Sequence, residues 1–305
     1  MKVLSLYCGA GGIDEGLKQA GIKTTLAVDV WKDACETFKL NHIDTEVICS
    51  KVSDIKDNLG EFDMVVGGPP CPEFSRAKTD RTFDACEVNN FWDIVYKVKA
   101  KYWIMENVQD VIKVIKNRKN YLVNCADYGV PQTRIRRIFT NLSLPKQTHS
   151  EFPTNDLFGN DIKKWISVKD ALGIDGIIQD RKSTFGGGFR DYSVDRPSFT
   201  LVSDMRAYNV MKKGSKAYPE HHSFKYESNS INEPMCTITA KDHYTANEYI
   251  HDDKKESCRK LTVEELQILQ GFPIYYKFLG SNISIRRQIG NAVPPPLIKA
   301  FAEQI

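Results

Sequence analysis

The chain has no run of about 18 apolar residues, so no stretch of it reads as a membrane-spanning helix. Its apolar start, Val3 to Cys8, is too short for a secretory leader and passes straight into Gly9–Gly12 and Asp14. None of its eight cysteines forms a Cys-x-x-Cys pair, and no Cys/His spacing suggests zinc, so no metal ligand set is expected. Several cysteines lie in apolar, strand-like segments where a thiol acts as a small hydrophobe. A reduced, cytoplasmic setting follows. Charge of one sign is also scarce. The net charge of +3 in 305 residues excludes a global field that would gather nucleic acid. The nucleoside-triphosphate loop pattern G-x-x-x-x-G-K-[ST] is missing, which disfavours ATP as a ligand.

What is present is an ordinary globular composition, 41% hydrophobic and 27% charged. Over residues 1–140 strand and helix signals alternate. Strands are read at 3–7, 24–29, 47–49, 62–66 and 102–105, and helices at 13–20, 32–40 and 91–98. This alternation predicts an α/β fold with a doubly wound, mostly parallel sheet. From about residue 145 the texture changes to Ser, Asn, Asp, Tyr and His without helical periodicity. Residues 195–201 and 232–238 echo one another around a proline, which suggests scaffold strands of a smaller, irregular β-rich domain. Helical signal returns at 262–270, where Thr262 and Glu265 form a capping box, and again from Pro295. Lysines 97, 99 and 101 and the group from Lys113 to Lys119 read equally as solvated helix faces or as basic patches.

Chemistry concentrates at strand ends. Cys71 lies in Gly-Gly-Pro-Pro-Cys-Pro, directly after an apolar strand, where α/β sheets place their reactive groups. Pro69, Pro70 and Pro72 stiffen the backbone around it, and a thiol on a stiff loop suits a covalent nucleophile. The loop from Tyr7 to Gly12 follows the first strand and opens a helix, so ligand could approach its backbone closely. Asp29 closes the second strand about 20 residues on, where an acid can take ribose hydroxyls. Together these point to a nucleoside-bearing cofactor.

The ordered set of motifs resembles the cytosine-C5 DNA methyltransferase family, prokaryotic or phage type. It runs from the Tyr7–Gly12 loop through Pro70-Cys71, Glu106-Asn107-Val108 and Gln132-x-Arg134-x-Arg136. It continues with Arg259-x-Leu261-Thr262, Gln270–Pro273 and Gly290–Pro294. The resemblance implies S-adenosylmethionine as cofactor and cytosine in duplex DNA as substrate, extruded from the stack because C5 is otherwise out of reach. It implies Cys71 as the thiolate that adds to C6, Glu106 as the carboxyl at N3, Arg136 at O2 with Arg134 beside it, and Asn107 holding the nucleophile loop. An alternative for Arg134 is phosphate binding. Tyr7, Gly9, Gly11, Gly12, Asp29, Pro70, Asn291 and Val293 would form the cofactor pocket, while Trp31 fits adenine or core equally. Ser75, Arg76, Lys78, Arg81, Gln132 and Arg206 are the expected DNA contacts. Residues 184–190 and 241–243 are further candidates for base contacts. Residues 1–145 plus 257–305 would form the catalytic domain and 146–256 the target-recognition domain.

The chain departs from the family at Pro72, at Ser50-Lys51 where an acid for the adenine amine is usual, and in its short 106–134 segment. The leading expectation is a monomeric, sequence-specific enzyme that a cognate restriction endonuclease accompanies. The alternatives are an RNA cytosine-C5 methyltransferase and a catalytically weak DNA-binding protein that keeps the fold.

Overall fold

In the computed structural model the described residues are 1–57, 59–70, 85–113, 115, 117–153, 161–174, 177–181, 189–199, 201, 209–211 and 258–305. The chain opens with β1 (Val3–Leu6), α1 (Gly12–Gln19), β2 (Leu26–Asp29), α2 (Lys32–Asn41) and β3 (Glu46–Cys49). A short α3 (Val52–Ile55) leads to β4 (Met64–Gly67), and α4 (Cys86–Lys97) leads to β5 (Tyr102–Asn107). After a 3-10 turn at Gln109–Lys113 come β6 (Asn120–Asn124), β7 (Gln132–Thr133) and β8 (Ile135–Thr140).

All of these strands but β7 form a seven-stranded sheet in the order β3-β2-β1-β4-β5-β8-β6. The pairings of β1 with β2 and β4, of β2 with β3 and of β4 with β5 are parallel, while β8 is antiparallel to both β5 and β6. The expected doubly wound, mostly parallel sheet is present. The two faces sort the strand residues by parity. Val3, Met64, Val66 and Ile104 join the core under α1, whereas Leu4, Leu6, Val65 and Met105 join the core under α4. A strand buried on both faces reads as a nearly continuous apolar run, which is why these strands were visible in the sequence.

The short 106–134 segment has a structural meaning. Between β5 and β6, which run the same way, the described residues form only a 3-10 turn and a brief connection rather than a crossover helix, and β8 inserts antiparallel between the two strands. The sequence placed the start of α4 at Phe91. It starts at Cys86, because Val88 already packs on the sheet.

The second half begins with β9 (His149–Ser150), β10 (Lys163–Lys164) and α5 (Val168–Leu172), which Ser167 and Asp170 close with a capping box. It continues with β11 (Ile177–Arg181), β12 (Phe189–Ser193), β13 (Ser198–Phe199), β14 (Asn209–Met211) and β15 (Cys258–Lys260). A small antiparallel sheet runs β12-β11-β14-β15, and β13 pairs with β7. The first half of the proline echo thus carries a scaffold strand; its second half lies outside the described residues.

The C-terminal elements are α6 (Val263–Leu269), α7 (Asn282–Asn291) and α8 (Pro295–Ala302). The Thr262–Glu265 capping box is formed. Leu266 and Leu269 of α6 and Ile289 of α7 share a core with Val168, Val194 and Leu201. Helix α8 returns to the first sheet, where Leu297, Ile298 and Phe301 bury against Ile13 and Leu17 of α1. The contact is close because Gly16 has no side chain: a Cβ there would lie 2.5 Å from the Pro295 carbonyl oxygen. No described helix is long and apolar enough to cross a membrane.

Candidate active site

Motif residues from both ends of the sequence meet at the C-terminal edge of the parallel strands, around a cleft of about 860 Å³. Its floor is the β1–α1 loop. Tyr7, Gly9 and Gly11 all have positive φ (53°, 53° and 87°), a conformation glycine takes without strain. The glycines then divide their work. A Cβ on Gly9 would meet nothing within 4 Å, so Gly9 faces open space in the cleft wall. Gly12 lets the backbone of Val293 approach, since a Cβ would lie 2.3 Å from the Val293 oxygen. Gly11 turns away from the cleft toward the Tyr276 hydroxyl and Phe38, which corrects its expected place in the cofactor pocket.

Asp29 stands at the end of β2. One carboxylate oxygen accepts from the Gly9 amide and the other from the Trp31 amide, each at 2.8 Å. Burial raises its pKa, and the backbone amides pull it back down. Trp31 is half-buried at the start of α2 and lines the cleft, with the Arg287 guanidinium 4.9 Å from its ring centre. Asn291 and Val293, at the end of α7 and just beyond it, complete this wall.

The other end of the cleft is polar and largely buried. Glu106, 8% exposed at the end of β5, accepts from Arg136 Nε at 2.9 Å. The pairing follows from register. Glu106 opposes Ile138, so Arg136, two residues away on β8, projects from the same face. Arg136 also donates from Nη1 to the Ile135 carbonyl, which fixes the plane of the guanidinium. Asn107 donates to the Pro69 carbonyl at 3.0 Å and accepts from the Val108 amide at 2.8 Å. It ties the loop that leads into Cys71 to the end of β5. Pro69 and Pro70 line the cleft.

Arg134, in the break between β7 and β8, lines the cleft with Arg136; the phosphate alternative for Arg134 and the DNA contact expected of Gln132 change. Arg134 is 2% exposed and donates to the carbonyls of Leu201 and Gly290, which makes it a strut of the cleft wall rather than a phosphate contact. Gln132 is fully buried. Its amide donates to Gln270 Oε1 and the Leu269 carbonyl and accepts from the Leu201 amide, so it joins three chain segments and is no DNA contact. Cys71, Ser75, Arg76, Lys78, Arg81 and Arg206 lie outside the described residues, as do 184–188 and 241–243.

Three described cysteines, Cys8, Cys35 and Cys125, are unlike a nucleophile: they are buried, and burial pushes the Cys125 thiol up to about 12, whereas Cys49 and Cys86 are exposed. Among the described residues no His, Cys, Asp or Glu cluster could hold a metal ion. The sequence reading missed Glu87 and Arg287, which also line the cleft. Neither sits in a motif, and each reaches the cleft through a partner distant in sequence.

The sequence matches C-5 cytosine-specific DNA methylases along residues 1–305. It is 28% identical to the Type II methyltransferase M1.HphI of Haemophilus parahaemolyticus, over 99% of this chain and 86% of that one. It is 27% identical to M.NgoPII of Neisseria gonorrhoeae, over 100% and 95%. The fold is shared with a prophage-encoded DNA modification methyltransferase from E. coli (TM-score 0.57, 21% identity, 99% and 97% coverage). It is also shared with a DNMT2 variant of Spodoptera frugiperda (TM-score 0.59, 18% identity, 98% and 97% coverage). With the family match spanning every residue, the chain belongs to the C-5 cytosine-specific DNA methylase family.

Proposed function

We propose that this protein transfers a methyl group from S-adenosylmethionine to C5 of cytosine in duplex DNA, with Cys71 as the nucleophile. The observation that carries this reading is the Glu106–Arg136 pair, which opens on the same cleft as Gly9, Asp29 and Asn291. Substrate ring and cofactor would therefore share one enclosed space.

The residues fit the cofactor. Gly9 offers open backbone, Asp29 a carboxylate held by two amides, and Tyr7 and Trp31 flat faces. When bound, S-adenosylmethionine supplies an electrophilic methyl on a sulfonium. The remaining work falls to the chain. The Cys71 thiolate adds to C6 of the extruded base and makes C5 enamine-like. Glu106 meets N3 and the exocyclic amine, where charge must be accepted as sulfur adds. Arg136 meets O2 with a planar cation that its bond to Ile135 keeps in plane. Asn107 positions the loop before Cys71 through Pro69. After C5 loses its proton, the thiolate leaves C6 and the product is released.

In this reading residues 1–145 and 257–305 carry cofactor and chemistry, and 146–256 read the target. The reading further takes the protein as a cytoplasmic monomer with a cognate restriction endonuclease as partner; its relatives are named Type II methyltransferases. The test is incorporation of labelled methyl from S-adenosylmethionine, run side by side on duplex DNA and tRNA. It is followed by trapping on 5-fluorocytosine duplex DNA. Label in DNA cytosine and an adduct that disappears in Cys71→Ser support the reading. Label in adenine, in tRNA alone or in neither refutes it.

A further inference from the structure

We infer that Glu87 is the acceptor for the exocyclic amine of the cofactor's adenine, a role no motif assigns to it; the inference rests on the cofactor reading above. Glu87 lies on the first turn of α4 and is half-buried in the wall of the cleft. Its position is fixed from two sides. The Tyr7 phenol donates to Glu87 Oε2 at 2.7 Å and is 3.0 Å from the Glu87 carbonyl, and Asn90 Nδ2 reaches Oε2 at 3.4 Å. Among the described residues no donor reaches Oε1.

Elimination among the cleft's own groups points the same way. The described carboxylates lining it are Asp29, Glu87 and Glu106. Asp29 already takes one backbone amide on each oxygen, and Glu106 takes the Arg136 guanidinium. The end of β3 presents Ser50 and Lys51 to the cleft, and the lysine is a donor where an adenine amine needs an acceptor. Glu87 is the carboxylate that keeps an oxygen for an incoming N–H, beside the ring of Tyr7. The phenol of Tyr7 stays protonated, because burial and the Glu87 hydrogen bond both raise its pKa, so it continues to hold Oε2. Tyr7 is then more than a flat surface: it orients the residue that tells adenine from other purines.

An acceptor-only carboxylate rejects a ligand that offers oxygen in place of the amine. The probes are S-adenosylhomocysteine and its inosine analogue, measured by calorimetry on the full chain. The wild type should bind the inosine analogue at least tenfold more weakly. In Glu87→Gln the amide can donate to the inosine oxygen, so the gap should shrink to under threefold, and Tyr7→Phe should give an intermediate gap. The wild-type comparison stands even if a variant fails to fold. No gap in the wild type, or an unchanged gap in folded Glu87→Gln, overturns the assignment and leaves the cofactor reading intact. Failure of the wild type to bind S-adenosylhomocysteine at all overturns both.

Discussion

Arg136 Nε stands 2.9 Å from Glu106 Oε1, and both side chains project from one face of the β5–β8 pair into the cleft. The ion pair fixes the orientation of both side chains where each is largely buried. A planar guanidinium can hold the carboxylate edge and still present further N–H groups in the same fixed plane, a fork geometry that an ammonium lacks.

Arg136→Lys and Glu106→Gln should therefore each lower methyl transfer by roughly 10² to 10⁴-fold. Affinity for S-adenosylhomocysteine should stay within about threefold, as for a contact made to the base rather than to the cofactor. Single-turnover transfer and calorimetry on the same preparations separate the two effects. A loss of less than tenfold in transfer would remove the pair from the chemistry.

Gln132→Ala leaves the Gln270 amide and the Leu201 N–H without their buried partner, at a cost of about 2 kcal/mol. The slope of log DNA affinity against log salt should not change, since no phosphate contact is lost. Urea unfolding and a salt titration check both halves. A shallower slope with unchanged stability would restore Gln132 as a DNA contact.

At Gly16 a methyl group would meet Pro295 oxygen at 2.5 Å and Ile298 Cβ at 2.7 Å. Gly16→Ala should cost about 3 kcal/mol by forcing α1 from α8. Gly21→Ala, whose new Cβ would meet nothing within 4 Å but whose φ is +81°, should cost only about 1 kcal/mol. Equal urea midpoints for the two variants would refute the tight helix contact.

Two buried groups give the protein opposed pH slopes. Burial lifts Asp14 to about 6, against the pull of its Thr24 and Ser5 hydrogen bonds. The native state then holds a proton that the unfolded chain gives up, and stability is lost as pH rises from about 4 to 6. Burial, helped by Lys18, lowers His42 to about 4. There the unfolded chain takes the proton first, and stability is gained as pH rises through 4 to 6.5. Each slope is on the order of 3 kcal/mol. Relative to wild type, Asp14→Asn should become more stable with rising pH across this window, and His42→Gln less stable. Parallel Tm profiles for all three proteins would show that neither group is shifted.

The parallel strands were legible because burial on both faces leaves Met64–Val66 wholly apolar and Val3–Leu6 broken only by Ser5, whose hydroxyl is bonded to Asp14. The Thr262–Glu265 cap and the place of Asp29 were legible because each is a local device. The roles of Gln132, Arg134 and Glu87 were not. Gln132 meets Gln270, 138 positions on; Arg134 meets Gly290, 156 on; and Tyr7 meets Glu87, 80 on. No local pattern encodes such a partner. Gly11 misled for a related reason: its positive φ was foreseeable in a turn, but the Tyr276 hydroxyl beneath it was not.

The burial of α8 against α1 sets the timing of assembly on the ribosome. The first helix emerges early, yet the apolar stripe of Ile13 and Leu17 stays bare until residues 297–301 leave the exit tunnel. The wall that Gly12 shares with Val293 is likewise finished only then. A nascent chain therefore lacks a complete cleft until residues 293–301 have been made, and a chain stalled or clipped before them exposes an oily seam that quality-control proteases can recognise.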